Sequence, residues 1–195
     1  MSNRPTIYTV GDSHGWHTWL NIHDVKTDYV GGPMTMYSFG SSFPVDQVRD
    51  AMKSIPLDAI ICFCHGEIDC RCYIHTHQPW QLTIDSLVEK YIRTIDLYVI
   101  GRNPKLIWTY CVVPPVRNAI ASEGYPFRGT IEERIVYAKY MNKKLKEAKY
   151  TFIDLYNQYS DLDGCMKEGI HDAHVHIEDP KILTEWIDKY EMPEL

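Results

Sequence analysis

The feature of this 195-residue sequence that most constrains its fold is an alternation of short apolar segments with longer segments of helical periodicity. Apolar segments rich in β-branched and aromatic residues, typical of buried strands, span 6–10, 58–64, 105–113 and 151–156. Apolar residues recur at helical spacing over 45–54, 83–100, 130–148 and 180–190. Apolar strands that alternate with helices are typical of parallel sheets covered on both sides. The sequence therefore predicts a three-layer α/β/α fold around a mainly parallel central sheet.

The length and charge of the chain limit its partners. We expect a single domain over 1–195, because domains usually hold about 100 to 200 residues. The formal net charge is −6 and no basic run exceeds Lys143 and Lys144, so we expect no nucleic-acid partner. The longest apolar stretches are far shorter than the roughly 20 residues that span a bilayer. The first residues also lack the features of a secretion signal, so we expect a cytoplasmic protein with no membrane partner.

The six cysteines do not form a disulfide pattern. Cys62, Cys64, Cys70 and Cys72 crowd around one predicted strand and the loop after it, so they cannot all pair with one another. A chain of this length does not need disulfides to fold. The sequence therefore predicts free thiols in a reducing compartment.

A glycine-flanked polar loop, 11–15, follows the first predicted strand. Function in parallel α/β sheets lies beyond the carboxyl ends of the strands, so this loop is well placed for chemistry. A catalytic serine such as Ser13 needs a tight turn, a nearby base and backbone N–H groups directed at the developing oxyanion. The alternative is that Asp12 or Ser13 merely caps the helix that follows.

A histidine-rich segment, 171–177, precedes the last predicted helix. An imidazole that acts as a base needs a carboxylate on its other nitrogen, and Asp172 and His176 provide this pair if the loop turns back on itself. One alternative is a surface loop that happens to be rich in histidine. Another is a zinc site on His171, His174 and His176, although no regular zinc-binding spacing accompanies them, and we expect no metal.

The two loops together resemble the first and last blocks of the SGNH (GDSL-like) hydrolases. The resemblance implies an SGNH/flavodoxin-like fold and acyl-transfer chemistry. Ser13 would be the nucleophile and also donate its N–H to the oxyanion, His176 would be the base, and Asp172 would orient the base. The family spacing is Asp-x-x-His, whereas three residues separate Asp172 from His176 here, and His174 offers a competing assignment as the base.

The segment 66–71, Gly-Glu-Ile-Asp-Cys-Arg, looks like the signature of an SGNH-like subgroup associated with polysaccharide and sugar modification. It stands where most members carry Gly-x-Asn-Asp, and Ile68 takes the position of the asparagine that donates to the oxyanion. Arg71 is a candidate replacement, oriented by Glu67 or Asp69. The alternative is a buried ion pair that stiffens the loop.

Further binding residues are expected on the same resemblance. Gly40 is the candidate second oxyanion donor, although a glycine there also suits a simple turn. The candidate substrate-binding residues are His14, Glu67, Asp69, Arg71 and His174.

The function implied by the resemblance is an esterase or deacetylase for acylated sugars, either small molecules or polysaccharides, that needs no cofactor. The same triad also suits a sugar O- or N-acyltransferase with acyl-CoA as the donor, since the two differ in water exclusion and acceptor binding. An inactive carbohydrate-binding module is the alternative from another class, because a fold alone does not establish activity.

Overall fold

The computed structural model describes residues 6–22, 27–30, 34–41, 46–121 and 124–190. The strands are β1 (Ile7–Gly11), β2 (Thr27–Val30), β3 (Ile60–Cys64), β4 (Leu106–Tyr110) and β5 (Thr151–Ile153). The helices are α1 (His14–His17), α2 (Met36–Ser41), α3 (Asp46–Ser54), α4 (Trp80–Val99), α5 (Ile131–Lys146), α6 (Tyr156–Tyr159) and α7 (Lys181–Lys189). A π-helical turn (Asp69–Tyr73) and a 3₁₀ turn (Ile74–Thr76) connect β3 to α4.

The strands form one parallel sheet in the order β2-β1-β3-β4-β5. β1 and β3 run side by side from the pair Ile7 and Ile60 to the pair Gly11 and Cys64. The carboxyl ends of both strands therefore lie together at one edge of the sheet. The predicted α/β fold with a mainly parallel sheet is confirmed.

β3 divides the core into two layers because its side chains alternate between the faces of the sheet. Ile61 and Phe63 pack in a cluster with α2, α3, α4 and α5. Ile60, Cys62 and Cys64 pack on the opposite face with residues from α6 and α7 and with Trp19, which follows α1. All five residues of β3 are buried, which explains why this strand is apolar throughout.

The elements differ from the sequence predictions in the short segments and in the ends of two strands. β2 and the short helix α2 were not predicted, since segments of four to six residues carry little periodicity, whereas α1 is the helix expected after Ser13. The fourth predicted strand was too long, because β5 ends at Ile153 rather than at Tyr156. The third was also too long, because β4 ends at Tyr110 rather than at Val113. Beyond it, the Asn142 side chain on α5 accepts from the Val112 N–H at 2.7 Å and donates to the Val112 carbonyl at 2.8 Å. The Asn142 amide therefore satisfies both backbone groups of Val112, as a neighbouring strand would. The helix predicted over 45–54 is α3, and Val45 lies outside the described residues.

Two global features bear on the sequence expectations. All six cysteines are free and buried. Within the described ranges, none of the helices combines the length and the apolar character that crossing a membrane requires.

The close approach of β1 to β3 at Gly11 predicts that a methyl group added at this position destabilises the protein. A Cβ on Gly11 would lie 1.9 Å from the Cys64 carbonyl oxygen, so the two central strands would have to separate. We expect Gly11→Ala to lower the free energy of unfolding by about 3 kcal/mol or more, measured by urea denaturation. Gly101→Ala is the control: its Cβ meets nothing within 4 Å, and its only cost is the positive φ of +73°, which Gly11 does not share. We expect it to cost only about 1–2 kcal/mol, and equal losses in the two variants would contradict this account.

Candidate active site

The loop after β1 holds Ser13 at the start of α1. The N–H of Asp12 donates to the Cys64 carbonyl at 2.8 Å, and the Asp12 carboxylate accepts from the His14 N–H at 2.9 Å. Burial, followed by the nearby charge of Glu67, raises the pKa of Asp12 well above its usual range. Asp12 therefore shapes the turn from inside the protein, while Ser13 is only partly buried.

The loop before α7 is folded around one carboxylate. The Oδ1 atom of Asp172 accepts from the N–H groups of His174 and His176, each at 2.9 Å, and the Asp172 N–H donates to the His176 carbonyl at 2.9 Å. An antiparallel bridge between His171 and Ile177 closes this loop. The three intervening residues are thus accommodated in a tight turn, which brings the Asp172 and His176 side chains together despite the unusual spacing.

The two loops meet in a chain of hydrogen bonds. His176 Nε2 lies 2.9 Å from Ser13 Oγ, and His176 Nδ1 lies 2.7 Å from Asp172 Oδ2. The His176 and Asp172 side chains are 16% and 21% exposed, so a small molecule can reach them. Partial burial works to raise the pKa of Asp172, but hydrogen bonds from the His176 ring and from backbone N–H groups lower it below its usual range. This geometry allows His176 to take the Ser13 proton while an ionised Asp172 holds the ring.

The structure distinguishes between the two histidines considered as the base. His174 is exposed, and its Nδ1 lies 3.1 Å from the Ile120 carbonyl oxygen, so His176 is the histidine at Ser13. The zinc arrangement is also not formed, since both His176 nitrogens face Ser13 and Asp172. Over the described parts of the chain, no group of three or more His, Cys, Asp or Glu side chains is arranged to hold a metal ion.

His14 is buried, and its predicted role as a substrate contact stays a prediction. Its ring centre lies 5.5 Å from that of His176, at a tilted angle. Burial, followed by the neighbouring charges of His176 and Arg71, lowers the pKa of His14 well below its usual range. His14 is therefore a neutral packing partner behind the base.

Glu67 and Arg71 form a buried ion pair, as the alternative interpretation of the sequence expected, and their predicted roles in substrate binding stay predictions. Arg71 Nε and Nη2 donate to the two Glu67 oxygens at 2.7 and 3.1 Å, and Nη1 donates to the Tyr125 carbonyl at 2.7 Å. The guanidinium also lies 5.2 Å from the centre of the Phe127 ring. With all three of its nitrogens engaged, Arg71 ties the 66–71 loop to the segment around Tyr125.

The Asp69 carboxylate is bound by the protein itself, although Asp69 also lines a groove, and its predicted role as a substrate contact stays a prediction. Its carboxylate accepts from the N–H groups of Met36 and Tyr37 at 2.7 and 3.0 Å, at the start of α2. Burial raises the pKa of Asp69 to about 6, against the opposing effect of these two hydrogen bonds. The carboxylate therefore fixes α2 to the loop after β3.

The two predicted oxyanion donors have different positions. Gly40 lies inside α2, where a Cβ would come within 3.2 Å of the Tyr91 backbone nitrogen. Its N–H points along the helix and its missing side chain lets α2 pack closely on α4. Its assignment as an oxyanion donor stays a prediction. The Ser13 N–H, in contrast, makes no hydrogen bond to any other described residue. Its role as an oxyanion donor stays a prediction.

His17 is a site residue that the sequence analysis missed. Its ring is stacked on that of His176, with the centres 4.0 Å apart and an interplanar angle of 19°. The available signal was its position four residues after Ser13, which places both residues on one side of a helical turn.

A groove of about 980 Å³ lies between α2, the turn at 69–76 and α4, and Ser13, Asp172 and His176 are not part of its lining. Tyr37, Tyr73 and Tyr125 contribute to its lining together with Leu82, and Lys90 lies on α4. The Met34 N–H at one end donates to the Gly11 carbonyl at 3.2 Å, which joins the groove wall to the loop that carries Ser13.

Solved structures with the same fold include an esterase and two lipases. The native aryl esterase of M. smegmatis superposes with a TM-score of 0.57 at 14% identity, over 95% of this chain and 99% of that one. The protein has the fold of the GDSL-type hydrolases. A GDSL-like lipase from Bacteroides thetaiotaomicron gives a TM-score of 0.58 at 11% identity, over 95% and 86% of the two chains. A lipase from a goat rumen metagenome gives 0.56 at 11% identity, over 98% and 99%. No protein-family model and no curated protein matches the sequence.

The buried Glu67–Arg71 pair predicts an effect on stability. Arg71→Met leaves the Glu67 carboxylate buried without its partner, so we expect it to lower the free energy of unfolding by about 3 kcal/mol or more. The double variant Glu67→Leu/Arg71→Met removes both charges and should recover much of that loss. Urea unfolding of both proteins measures the difference. A double variant no more stable than Arg71→Met would show that the pair is not the source of the effect.

Proposed function

We propose that the protein is a serine esterase or deacetylase that forms an acyl-enzyme on Ser13. The observation that carries the proposal is the continuous chain of hydrogen bonds from Ser13 through His176 to Asp172. The esterase and lipases of the same fold give it further support.

The reaction follows from these contacts. His176 Nε2 takes the hydroxyl proton as Ser13 Oγ attacks the acyl carbon, and Asp172 stabilises the imidazolium that forms. The Ser13 N–H donates to the oxyanion of the tetrahedral intermediate. His176 then gives its proton to the departing alcohol, and the acyl group remains on Ser13. Water, deprotonated by His176, then attacks the acyl carbon of the acyl-enzyme. His176 returns the proton to Ser13 Oγ as the acid leaves.

The proposed substrate class is an acylated carbohydrate. Support comes from the groove between α2 and α4, whose wall is joined to the nucleophile loop by the hydrogen bond from Met34 to Gly11. Three tyrosines line this groove, and an aromatic ring offers a flat apolar surface on which a sugar ring can stack. Tyr37 is 62% exposed and Tyr73 is 41% exposed, so both rings are accessible to a ligand.

The test is ester hydrolysis by the wild type and by single variants. With nitrophenyl acetate we expect Ser13→Ala and His176→Ala to lower kcat by roughly a thousandfold or more, and Asp172→Asn to lose less than either. Ser160→Ala, a serine away from the site, is the matched control and should keep wild-type activity. Acetate release from an acetylated oligosaccharide, compared with nitrophenyl acetate, tests the substrate class.

The outcomes separate the two parts of the proposal. Wild-type turnover by Ser13→Ala would contradict serine chemistry. Serine-dependent hydrolysis of nitrophenyl acetate without any release of acetate from the oligosaccharide would leave an esterase but contradict the carbohydrate substrate.

A further inference from the structure

His17 lies on the face of the ring that serves as the base in the proposed function. The His17 and His176 ring centres are 4.0 Å apart and the rings are nearly parallel, at 19°. His17 also contacts the ring of its neighbour Trp16, with centres 5.0 Å apart at a tilted angle of 48°. His176 is therefore held at three places: Nδ1, Nε2 and one face.

The local fold explains this position. α1 begins directly after Ser13, and the His17 N–H donates to the Ser13 carbonyl at 2.9 Å, which closes one helical turn. Residues four apart on a helix lie on the same side. A single turn therefore presents the Ser13 hydroxyl to one edge of His176 and the His17 ring to its face.

The contact on the face supplies a restraint that the two hydrogen bonds lack. Ser13 and Asp172 hold ring nitrogens at opposite sides of the imidazole, so the ring can still tilt about the line that joins them. A parallel ring stacked on the face opposes this tilt. We propose that His17 is a positioning residue that keeps the His176 ring in plane with Ser13 and, in its neutral form, stabilises the imidazolium formed during acyl transfer.

The charge state of His17 matters because His176 becomes a cation during the reaction. The face of a neutral aromatic ring attracts a cation, whereas a second cation at this distance repels it. Burial, followed by the neighbouring His176, lowers the pKa of His17, while the carboxylates of Asp172 and Glu178 act in the opposite direction. His14, on the same helix, also faces this group. The balance favours the neutral form that the proposal requires.

The experiment compares His17→Phe, His17→Ala and His17→Arg. Phenylalanine keeps a flat neutral ring, alanine removes the ring, and arginine keeps a flat group but adds a permanent charge. We expect kcat for nitrophenyl acetate to stay within about threefold of the wild type for His17→Phe, to fall about tenfold for His17→Ala and to fall further for His17→Arg, with KM little changed. Urea unfolding checks that each variant is folded.

A second readout is the rate at which a fluorophosphonate, which reacts with activated serines, inactivates each protein. This rate depends on the reactivity of Ser13 whatever the natural substrate is, and it should follow the same order as kcat. A rate for His17→Phe as low as that for His17→Ala would overturn the positioning role, as would a change confined to KM. Equal rates for His17→Arg and His17→Phe would overturn the role of charge. If Ser13 is labelled equally fast in all proteins, only this inference fails; if the wild type is not labelled, the proposed function fails with it.

Discussion

The close pairing of β1 with β3 is the constraint on which the site depends. Gly11 lies directly against the Cys64 carbonyl, and the next residue, Asp12, donates its N–H to the same oxygen at 2.8 Å. The loop that carries Ser13 and the 66–71 loop therefore leave the sheet side by side. Because all the strands are parallel, the segment with His176 reaches the same edge after β5.

The charged groups at this edge divide into two sets. Asp12, Glu67, Asp69 and Arg71 are buried, and each has hydrogen-bond partners within the protein. They are the groups that define the shapes of the loops. Asp172 and His176 remain partly exposed and are aligned with Ser13, so the capacity for chemistry resides in this second set.

The segment 66–71 is the most distinctive stretch of the sequence, and most of its residues have a structural role in holding the loop. Gly66 has φ of +116° and a Cβ there would collide with Met141 and Val112. Asp69 holds α2, and Glu67 pairs with Arg71. Its composition therefore reflects at least the packing of this loop against α2 and α5.

Much of the fold could be predicted because its signal is local. β3 is apolar throughout since both faces are buried, and α4 and α5 are long enough to show helical periodicity. The three residues Ser13, Asp172 and His176 were named from their resemblance to family blocks, and the structure brings them together. Their roles in catalysis stay a prediction.

The remaining site residues could not be assigned because their partners are distant in sequence. Asp69 binds backbone N–H groups more than 30 residues away, which any sequence would offer. Glu67 and Arg71 are spaced for an ion pair, but the same spacing fits an exposed binding site, and only burial distinguishes the two. Gly40 illustrates the same limit, since a glycine suits a turn or a close helix contact equally well. The stacking of His17 depends on a loop more than 150 residues later in the chain.

The central claim is that Ser13 carries the acyl group during turnover. The most direct measurement is mass spectrometry of the protein quenched during hydrolysis of nitrophenyl acetate, followed by proteolysis to locate the modification. The account predicts one acetyl group on the peptide that contains Ser13, and its loss in Ser13→Ala. Hydrolysis with no acetylated protein, or with the acetyl group on another residue, would contradict it.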